Sequence, residues 1–244
     1  MQAEENILKQ KKETFLILTI SPAQVRAENI KDLGLTNLLG QGQSNFTGSP
    51  DSRIHNIKLG AAKFDRLLLK PDEEFSFNRV LGEIGPQQGY LEELVIKKDK
   101  TIPEYGGGLC QVSTTLFRAV VKAGLKITQR YAHAFPIVYY SPPGFDATIY
   151  PPQPDLRFVN DTPNYIYIQN RIEDNELFFE IYGPDDGRQI KIQGPTILEK
   201  NEDGSMKTIL IREIYRQGQL ISQDKFYSHY KSPDLYPLER NPLE

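Results

Sequence analysis

Three consecutive glycines that lead into an apolar segment are the feature of this sequence that most restricts its fold. Glycine adopts backbone conformations that other residues avoid, and it lets another part of the chain approach closely. After residues 106–108, apolar side chains recur at helical spacing up to Gly124, a residue type that commonly ends helices. The pattern predicts a helix that starts at Cys110 and is buried on most of its sides.

Cys110 is the single cysteine of the 244 residues. A single cysteine excludes a disulfide within the chain and a zinc site built from several cysteines. The unpaired N–H groups and the positive dipole end at a helix start favour the thiolate, which is the reactive form of cysteine. A lone cysteine can equally be a small buried structural residue. Cys110 is therefore a candidate nucleophile whose surroundings must decide between the two roles.

The charge balance excludes several classes of partner. The chain has 29 Lys and Arg against 32 Asp and Glu, a net charge of −3. Nucleic acid and anionic lipid require a broad basic surface, which this composition does not provide. No apolar run is long enough to span a membrane, and the polar residues 1–12 contain no signal peptide. We expect the chain to be a fragment of a longer protein.

The order of predicted elements indicates an α+β fold. A buried helix from Cys110 should pack on an antiparallel sheet, and a first helix should run from Ser49-Pro50 to Lys70-Pro71. We expect a small β-hairpin extension at the C-terminal side, since Arg216 to Gln219 can form a turn. The expected strands cover residues 15–20, 75–78, 94–96, 127–131, 135–140, 147–150, 165–169, 177–182, 190–193, 207–215 and 220–230.

Composition divides the chain into four expected parts. Residues 1–43 should be the end of an upstream module followed by a linker, because residues 40–45 are rich in glycine and polar side chains. Residues 44–183 should form the main domain, and residues 184–232 the β extension. Residues 233–244 carry prolines and should form a tail.

Cys110, His133 and Asp146 occur in an order that suits acyl transfer through a thiol. This chemistry needs a nucleophile, a histidine that takes and returns its proton, and a group that orients the histidine. We expect the three at a helix start, on a strand and on the segment after Gly144. This order resembles the cores of papain-like and transglutaminase-like enzymes. The alternatives are a hydrogen-bonded core histidine and an aspartate that only stabilises a turn.

Several neighbours of Cys110 are candidates for substrate binding. Backbone N–H groups of residues 109–111, or the Gln111 side chain, would supply an oxyanion hole. Ser113 and Thr114 can alternatively cap or pack the first helical turn. Tyr139 and Tyr140 would line a groove or belong to the core. The candidate binding set is Tyr105, Gly107, Gly108, Leu109, Gln111 and Ser113.

Two residues on the first predicted helix are candidate accessory residues of the site. Arg53 and His55 lie beside its apolar stripe, although such a histidine is more often solvated or bonded locally. His229, near the end of the chain, should lie at the surface. We expect the site to use no metal and no other cofactor.

Six stretches of the sequence resemble the VanW-like family of bacterial cell-envelope proteins. The resemblance covers about residues 44–183 and is most specific in the glycine-cysteine segment and in Asp146-Ala147-Thr148. Many relatives have His-Ser before a proline where this chain has His133-Ala134-Phe135-Pro136, so a polar neighbour of the histidine is absent. The matching stretches are residues 45–49, 53–57, 69–78, 106–116, 130–136 and 144–148.

The resemblance implies a location and a reaction. Some members with this domain are reported as L,D-transpeptidases, which cross-link peptidoglycan stem peptides through a cysteine. It thus implies a cysteine acyltransferase at the extracellular face of the cell envelope, with Cys110 as acyl acceptor. It also implies that residues 1–40 end a peptidoglycan-binding module. The alternatives are a binding or scaffold module that holds stem peptides without chemistry, and a redox-sensing thiol. The latter lacks a resolving cysteine.

Overall fold

A computed structural model describes residues 33–97 and 100–235 of the chain. The strand expected at residues 15–20 and most of the expected tail lie outside these ranges. Within them, three α-helices cover Asp51–Ala62 (α1), Phe77–Leu81 (α2) and Leu109–Ala123 (α3). The strands are Asn37–Asn45 (β1), Leu67–Leu69 (β2), Glu74–Ser76 (β3), Glu92–Lys97 (β4), Lys100–Tyr105 (β5), Lys126–Gln129 (β6), Arg157–Val159 (β7), Ile166–Glu173 (β8), Glu176–Gly183 (β9), Arg188–Lys200 (β10), Met206–Arg216 (β11) and Gln219–Tyr230 (β12).

A four-stranded antiparallel sheet of order β1-β9-β8-β2 carries the main helix. Strands β8 and β9 form a hairpin whose turn places Glu173 opposite Glu176. Strand β1 pairs along β9 from Asn37 opposite Gly183 to Asn45 opposite Glu176. Two smaller sheets, β3-β7-β6 and β4-β5, lie outside this layer. The expected α+β architecture with antiparallel strands is therefore confirmed.

Helix α3 is buried on almost every side, as the periodicity of its apolar residues predicts. All of its residues except Cys110 and Lys122 are buried. Gly124 takes the left-handed conformation after the last turn, with φ of 70°, as expected for the glycine that ends a helix. Because both of its ends are fixed by glycines in a packed layer, α3 is a rigid platform for Cys110.

The expected linker at residues 40–45 is instead the second half of β1, so that prediction is wrong. Side chains at Gly40 and Gly42 would collide with the backbone of α3, at Ala123 and Thr115 respectively. Glycine at these two positions lets the strand lie directly on the helix. The Ser44 hydroxyl also hydrogen-bonds Thr115 Oγ1 at 2.6 Å, which fixes the strand against the helix.

Several other expected elements differ in the structure. Helix α1 ends at Ala62, and residues 67–69 form β2. The expected strand at 75–78 turns into α2 at Phe77, where the Ser76 hydroxyl caps the helix by accepting from the Arg79 N–H. Residues 135–140 hold a single 3₁₀ turn, Val138–Tyr140, and residues 147–150 form no strand. The chain around the candidate site is therefore loop rather than sheet.

The C-terminal strands form a separate three-stranded sheet of order β10-β11-β12. The predicted hairpin is confirmed, with Arg216 opposite Gln219 across its turn. Buried Arg212 reaches from β11 to the end of α3, where it donates to the Leu125 carbonyl at 2.9 Å. The Phe226 and Phe117 rings meet edge to face with centroids 5.7 Å apart. This sheet therefore packs on the helix that carries Cys110.

Within residues 33–97 and 100–235, no helix is both long enough and apolar enough to cross a membrane.

A candidate Cys-His-Asp active site

Gly108 sets the position of Cys110 at the start of α3. Its backbone has φ of 105°, a conformation that side chains rarely tolerate. A Cβ atom there would lie 2.8 Å from Ile57 Cγ1 and 3.1 Å from Arg53 Cγ. Glycine at this position therefore brings the first turn of α3 against α1. The Cys110 side chain is half-buried at this junction.

His133 and Asp146 come together in two loops that cross the N-terminal end of α3. His133 lies between β6 and the 3₁₀ turn, and Asp146 follows Gly144 in the loop before β7. Neither residue is on a strand, so the expected papain-like placement on two adjacent strands is not confirmed. The His133 Nδ1 to Asp146 Oδ2 distance is 2.6 Å, and the His133 backbone N–H donates to the same oxygen at 2.9 Å. Both side chains are buried.

The remaining ring nitrogen of His133 faces Cys110. The pKa of Asp146 is held well below its usual range, because its hydrogen bonds with His133 and its other partners outweigh the cost of burial. An ionised carboxylate only accepts, so Nδ1 carries the proton that it donates. This leaves Nε2 as the nitrogen available to Cys110, with which the imidazole interacts. Nε2 is buried and makes no hydrogen bond of good geometry within the described part of the chain. Apo sites often show such loose contacts between nucleophile and base.

The electrostatics of the pair favour a thiolate and an imidazolium. Burial opposes ionisation of the thiol, but the interaction with His133 outweighs it and lowers the pKa of Cys110. Burial likewise disfavours the imidazolium, yet the hydrogen bond to Asp146 and the interaction with Cys110 raise the pKa of His133 to about 9. The structure thus brings together the three residues that the sequence order picked out.

Three further groups surround the thiol. The Cys110 sulfur lies 3.6 Å from Thr148 Oγ1 and 3.5 Å from the Ile149 carbonyl oxygen. The Tyr140 ring packs on the His133 ring, with centroids 4.6 Å apart and planes inclined by 33°. These contacts fix the imidazole plane and place a buried phenol beside the sulfur.

Asp146 is held by residues that sequence reasoning did not assign to the site. Arg130 Nη2 lies 3.1 Å from Asp146 Oδ1, and the Tyr230 hydroxyl donates to the same oxygen. Tyr230 also accepts from the Gly144 N–H at 2.6 Å. Arg130 belongs to a stretch that resembles the family, which was a usable signal. Tyr230 lies on β12, far along the chain, and no local pattern points to it.

Arg118 of α3 fixes the loop that carries Tyr140 and Asp146. Its guanidinium donates to the backbone carbonyls of Tyr140 at 2.7 Å, Ser141 at 3.0 Å and Phe145 at 3.0 Å. It also donates to the Gln43 carbonyl at 2.8 Å, so one buried side chain ties the loop to both β1 and α3. The loop therefore has a defined shape without belonging to a sheet.

The side chains of Gln111, Ser113 and Thr114 are used within the protein rather than presented to a ligand. Both Gln111 Nε2 protons are taken, by Ser44 Oγ at 3.1 Å and the Asn45 carbonyl at 2.9 Å. The expectation that this side chain donates to an oxyanion is therefore wrong. Ser113 Oγ donates to the Ala147 carbonyl at 2.6 Å, and Thr114 Oγ1 accepts from the Ala147 N–H at 3.1 Å. They hold the loop next to Asp146, which is the packing alternative considered above.

The backbone of the glycine segment has mixed roles. The Leu109 N–H donates to the Gly106 carbonyl at 3.1 Å, and the Gln111 N–H to the Gly108 carbonyl at 2.9 Å. The Gly107 carbonyl accepts from Asn56 Nδ2 at 3.2 Å. An oxyanion hole in this segment would therefore centre on the N–H of Cys110 itself, which stays a prediction.

The accessory candidates separate in the structure. Arg53 is buried against the site, and its Nη2 donates to Gln111 Oε1 at 2.7 Å. His55 is exposed, and its Nε2 lies 2.8 Å from the Gly89 carbonyl oxygen, so it is bonded locally. Tyr105 is exposed at the end of β5 and interacts with Glu92, and its substrate role stays a prediction. His229 is exposed on β12, as expected.

Among the described residues, no three or more His, Cys, Asp or Glu side chains are grouped so as to bind a metal ion.

Comparison with known proteins gives a family match whose range includes Cys110, His133 and Asp146. The family model described as VanW like protein matches residues 52–182. The chain is 41% identical over 150 residues to the Bacillus subtilis protein named "Uncharacterized protein YoaR", which covers 62% of the chain and 49% of that relative. It is 28% identical over 199 residues to the Enterococcus faecalis protein "Vancomycin B-type resistance protein VanW", covering 77% of the chain and 71% of that relative. The chain thus spans about half the length of the first relative. No solved structure matches it.

Proposed function

Since this chain belongs to the VanW-like protein family, we propose that it is a cell-envelope cysteine acyltransferase that acts on peptidoglycan stem peptides. The observation that carries the proposal is the arrangement of three side chains. Nδ1 of His133 lies 2.6 Å from an ionised Asp146, and the same imidazole interacts with the half-buried Cys110 thiol. This is the constellation that thiol-dependent acyl transfer requires.

The reaction follows from the charges in the site. The Cys110 sulfur attacks a peptide carbonyl carbon, so that a C–S bond forms and the carbonyl oxygen becomes an oxyanion. The C–N bond then breaks, and the leaving amine takes the Nε2 proton of His133. A thioester remains on Cys110. An amine of a second stem peptide, or water, attacks this thioester, His133 recovers a proton, and the thiolate leaves.

The substrate class rests on family and relatives. A protein that is 28% identical over 199 residues bears a name that connects it with resistance to vancomycin, a cell-wall antibiotic. A reaction between stem peptides would place the site at the extracellular face of the envelope. Two exposed aromatic side chains offer surfaces for an extended peptide: Tyr139, whose ring stacks on Arg53, and Tyr131, whose carbonyl accepts from the Thr148 N–H.

Turnover of muropeptides tests the proposal. Purified protein is incubated with disaccharide tetrapeptides, and cross-linked or trimmed products are separated by chromatography and identified by mass. We expect the Cys110→Ala variant to lose products by at least about a thousandfold, since no other group supplies the nucleophile. Product formation by His133→Ala should fall by a similar factor. The matched control is His229→Ala, which removes an exposed histidine and should retain wild-type turnover.

The same variants distinguish an acyltransferase from the alternative function, a module that binds stem peptides without chemistry. If Cys110→Ala forms products as fast as the wild-type protein, the acyltransferase proposal is wrong. If neither protein forms products but both bind muropeptides saturably, the site is a binding module.

A further inference from the structure

Arg53 is a buried cation that faces the candidate active site. It lies in the first turn of α1 and is 7% exposed. Its guanidinium carbon stacks 4.0 Å from the centroid of the half-exposed Tyr139 ring. The stacking covers one face of the planar group, whereas hydrogen bonds to a ligand would use its edge.

The partners of this guanidinium in the described part of the chain orient it and carry no negative charge. Nη1 donates to Ser49 Oγ at 2.7 Å, Nη2 donates to Gln111 Oε1 at 2.7 Å, and the group also interacts with the Tyr140 phenol. These partners leave some of its five N–H donors free within the described residues. None of these partners is a carboxylate.

Other buried arginines of the described chain are compensated. Arg130 contacts Asp146 at 3.1 Å, Arg188 contacts Asp186 at 2.6 Å, and Arg212 contacts Asp224 at 2.7 Å. Arg118 has no such ion pair, but its guanidinium donates hydrogen bonds to four backbone carbonyls. A buried charge without a counter-ion destabilises the folded protein. Such a charge is tolerated where a bound ligand supplies the opposite charge.

Arg53 and Cys110 share their neighbours. Gly108 lies against the Arg53 side chain two residues before the sulfur. The Tyr140 phenol experiences the charges of both Arg53 and Cys110, and the Tyr140 ring covers His133. A ligand bound to the guanidinium edge would therefore lie beside the thiol.

We propose that Arg53 is a binding residue for a carboxylate of the substrate, placed beside the bond that Cys110 attacks. A planar guanidinium with free edge donors suits bidentate binding of a carboxylate. The assignment of this carboxylate to the terminal residue of a stem peptide rests on the function proposed above. Binding of an anion next to the thiol does not depend on it.

Alkylation of Cys110 tests the anion site without any peptidoglycan substrate. Iodoacetate and iodoacetamide modify the same sulfur, but only the first carries a carboxylate. We expect the second-order rate constant for iodoacetate, divided by that for iodoacetamide, to fall by about tenfold in Arg53→Gln, since one charge-assisted contact is lost. The ratio for Arg53→Lys should lie between the ratios for the wild-type protein and for Arg53→Gln. Because any change in thiolate fraction affects both reagents, the ratio isolates anion binding. The control Arg66→Gln removes an arginine with an 81% exposed side chain and should keep the wild-type ratio.

A second measurement uses the wild-type protein, in case Arg53→Gln does not fold. N-acetyl-D-alanine should protect Cys110 from iodoacetamide, and N-acetyl-D-alaninamide should not. Equal protection by the two, or an unchanged alkylation ratio in folded Arg53→Gln, would overturn the proposal. If the anion preference is present but muropeptides never acylate Cys110, the anion site stands and the acyltransferase function fails. If acylation proceeds equally from free and amidated stem peptides, the function stands and Arg53 does not bind the carboxylate.

Discussion

At the scale of single residues, the site is a row of buried charges of alternating sign. The Arg130 guanidinium contacts the Asp146 carboxylate, which contacts the His133 imidazole, which faces the Cys110 thiol. Burial opposes the charged forms of Asp146, His133 and Cys110, and for each of them the interactions with neighbouring groups outweigh this cost. The same arrangement favours the thiolate of Cys110 and the imidazolium of His133.

The pH dependence of the site follows from the directions of these shifts. The interaction with His133 lowers the pKa of Cys110, so alkylation by iodoacetamide at pH 7 should be faster than that of an unperturbed cysteine. In His133→Ala the thiol pKa should rise, and the rate at pH 7 should fall about tenfold for each pKa unit regained. The exposed His229→Ala is the control. Equal alkylation rates for wild type and His133→Ala across pH 5–9 would show that the two residues do not interact.

Turnover should depend on pH differently from alkylation. Acyl transfer needs the His133 proton for the leaving amine, and the pKa of His133 is raised to about 9. Turnover should therefore decline as pH rises through about 9, whereas alkylation should stay on its plateau because the thiolate persists.

At the scale of elements, strand β12 contributes to the site through one hydroxyl. Tyr230 donates to Asp146 Oδ1 and accepts from the Gly144 N–H, so it positions the carboxylate and the loop that carries it. Removing a hydrogen bond to a charged group costs about 1.5–3 kcal/mol, part of which should appear in the rate. We expect Tyr230→Phe to lower kcat about tenfold and to leave KM unchanged, since the hydroxyl contacts no substrate.

The control for this prediction lies on the same strand. Tyr227 is 55% exposed, and Tyr227→Phe should have wild-type kinetics. A general loss of folding in either variant would lower the amount of active protein and hence the apparent kcat. Thermal unfolding of both variants is therefore measured as well. A folded Tyr230→Phe with wild-type kcat would exclude the positioning role.

The elements also show which predictions sequence can support. Helix α3 follows from its periodicity and from Gly124, because those signals are local. Local signals gave the wrong prediction at Gly40 and Gly42. Glycines that let a strand lie on a helix have the same sequence pattern as a flexible linker. His133 was expected on a strand and Asp146 on the segment after Gly144, but both lie in loops. Arg118 from another element shapes the loop that carries Asp146. Contacts between distant segments, such as Tyr230 with Asp146, leave no pattern in either segment.

At the scale of the whole molecule, the C-terminal sheet and the family-matched region share one site. The family match ends at residue 182, yet β11 and β12 place Arg212 on the end of α3 and Tyr230 on Asp146. The described residues, 33–97 and 100–235, belong to one compact unit. The expected division into a main domain and an extension stays a prediction, but a variant that lacks β10 to β12 would lose a hydrogen-bond partner of Asp146.

The mass of the intact protein after incubation with a disaccharide tetrapeptide shows whether Cys110 forms the thioester that the proposed acyl transfer requires. Rapid acid quenching preserves a thioester, and peptide mapping locates it. We predict that wild-type protein gains the mass of the acyl fragment on the peptide that contains Cys110, that hydroxylamine removes it, and that Cys110→Ala gains none. An adduct on another residue, or product formation by wild-type protein without any adduct on Cys110 under these conditions, would contradict it.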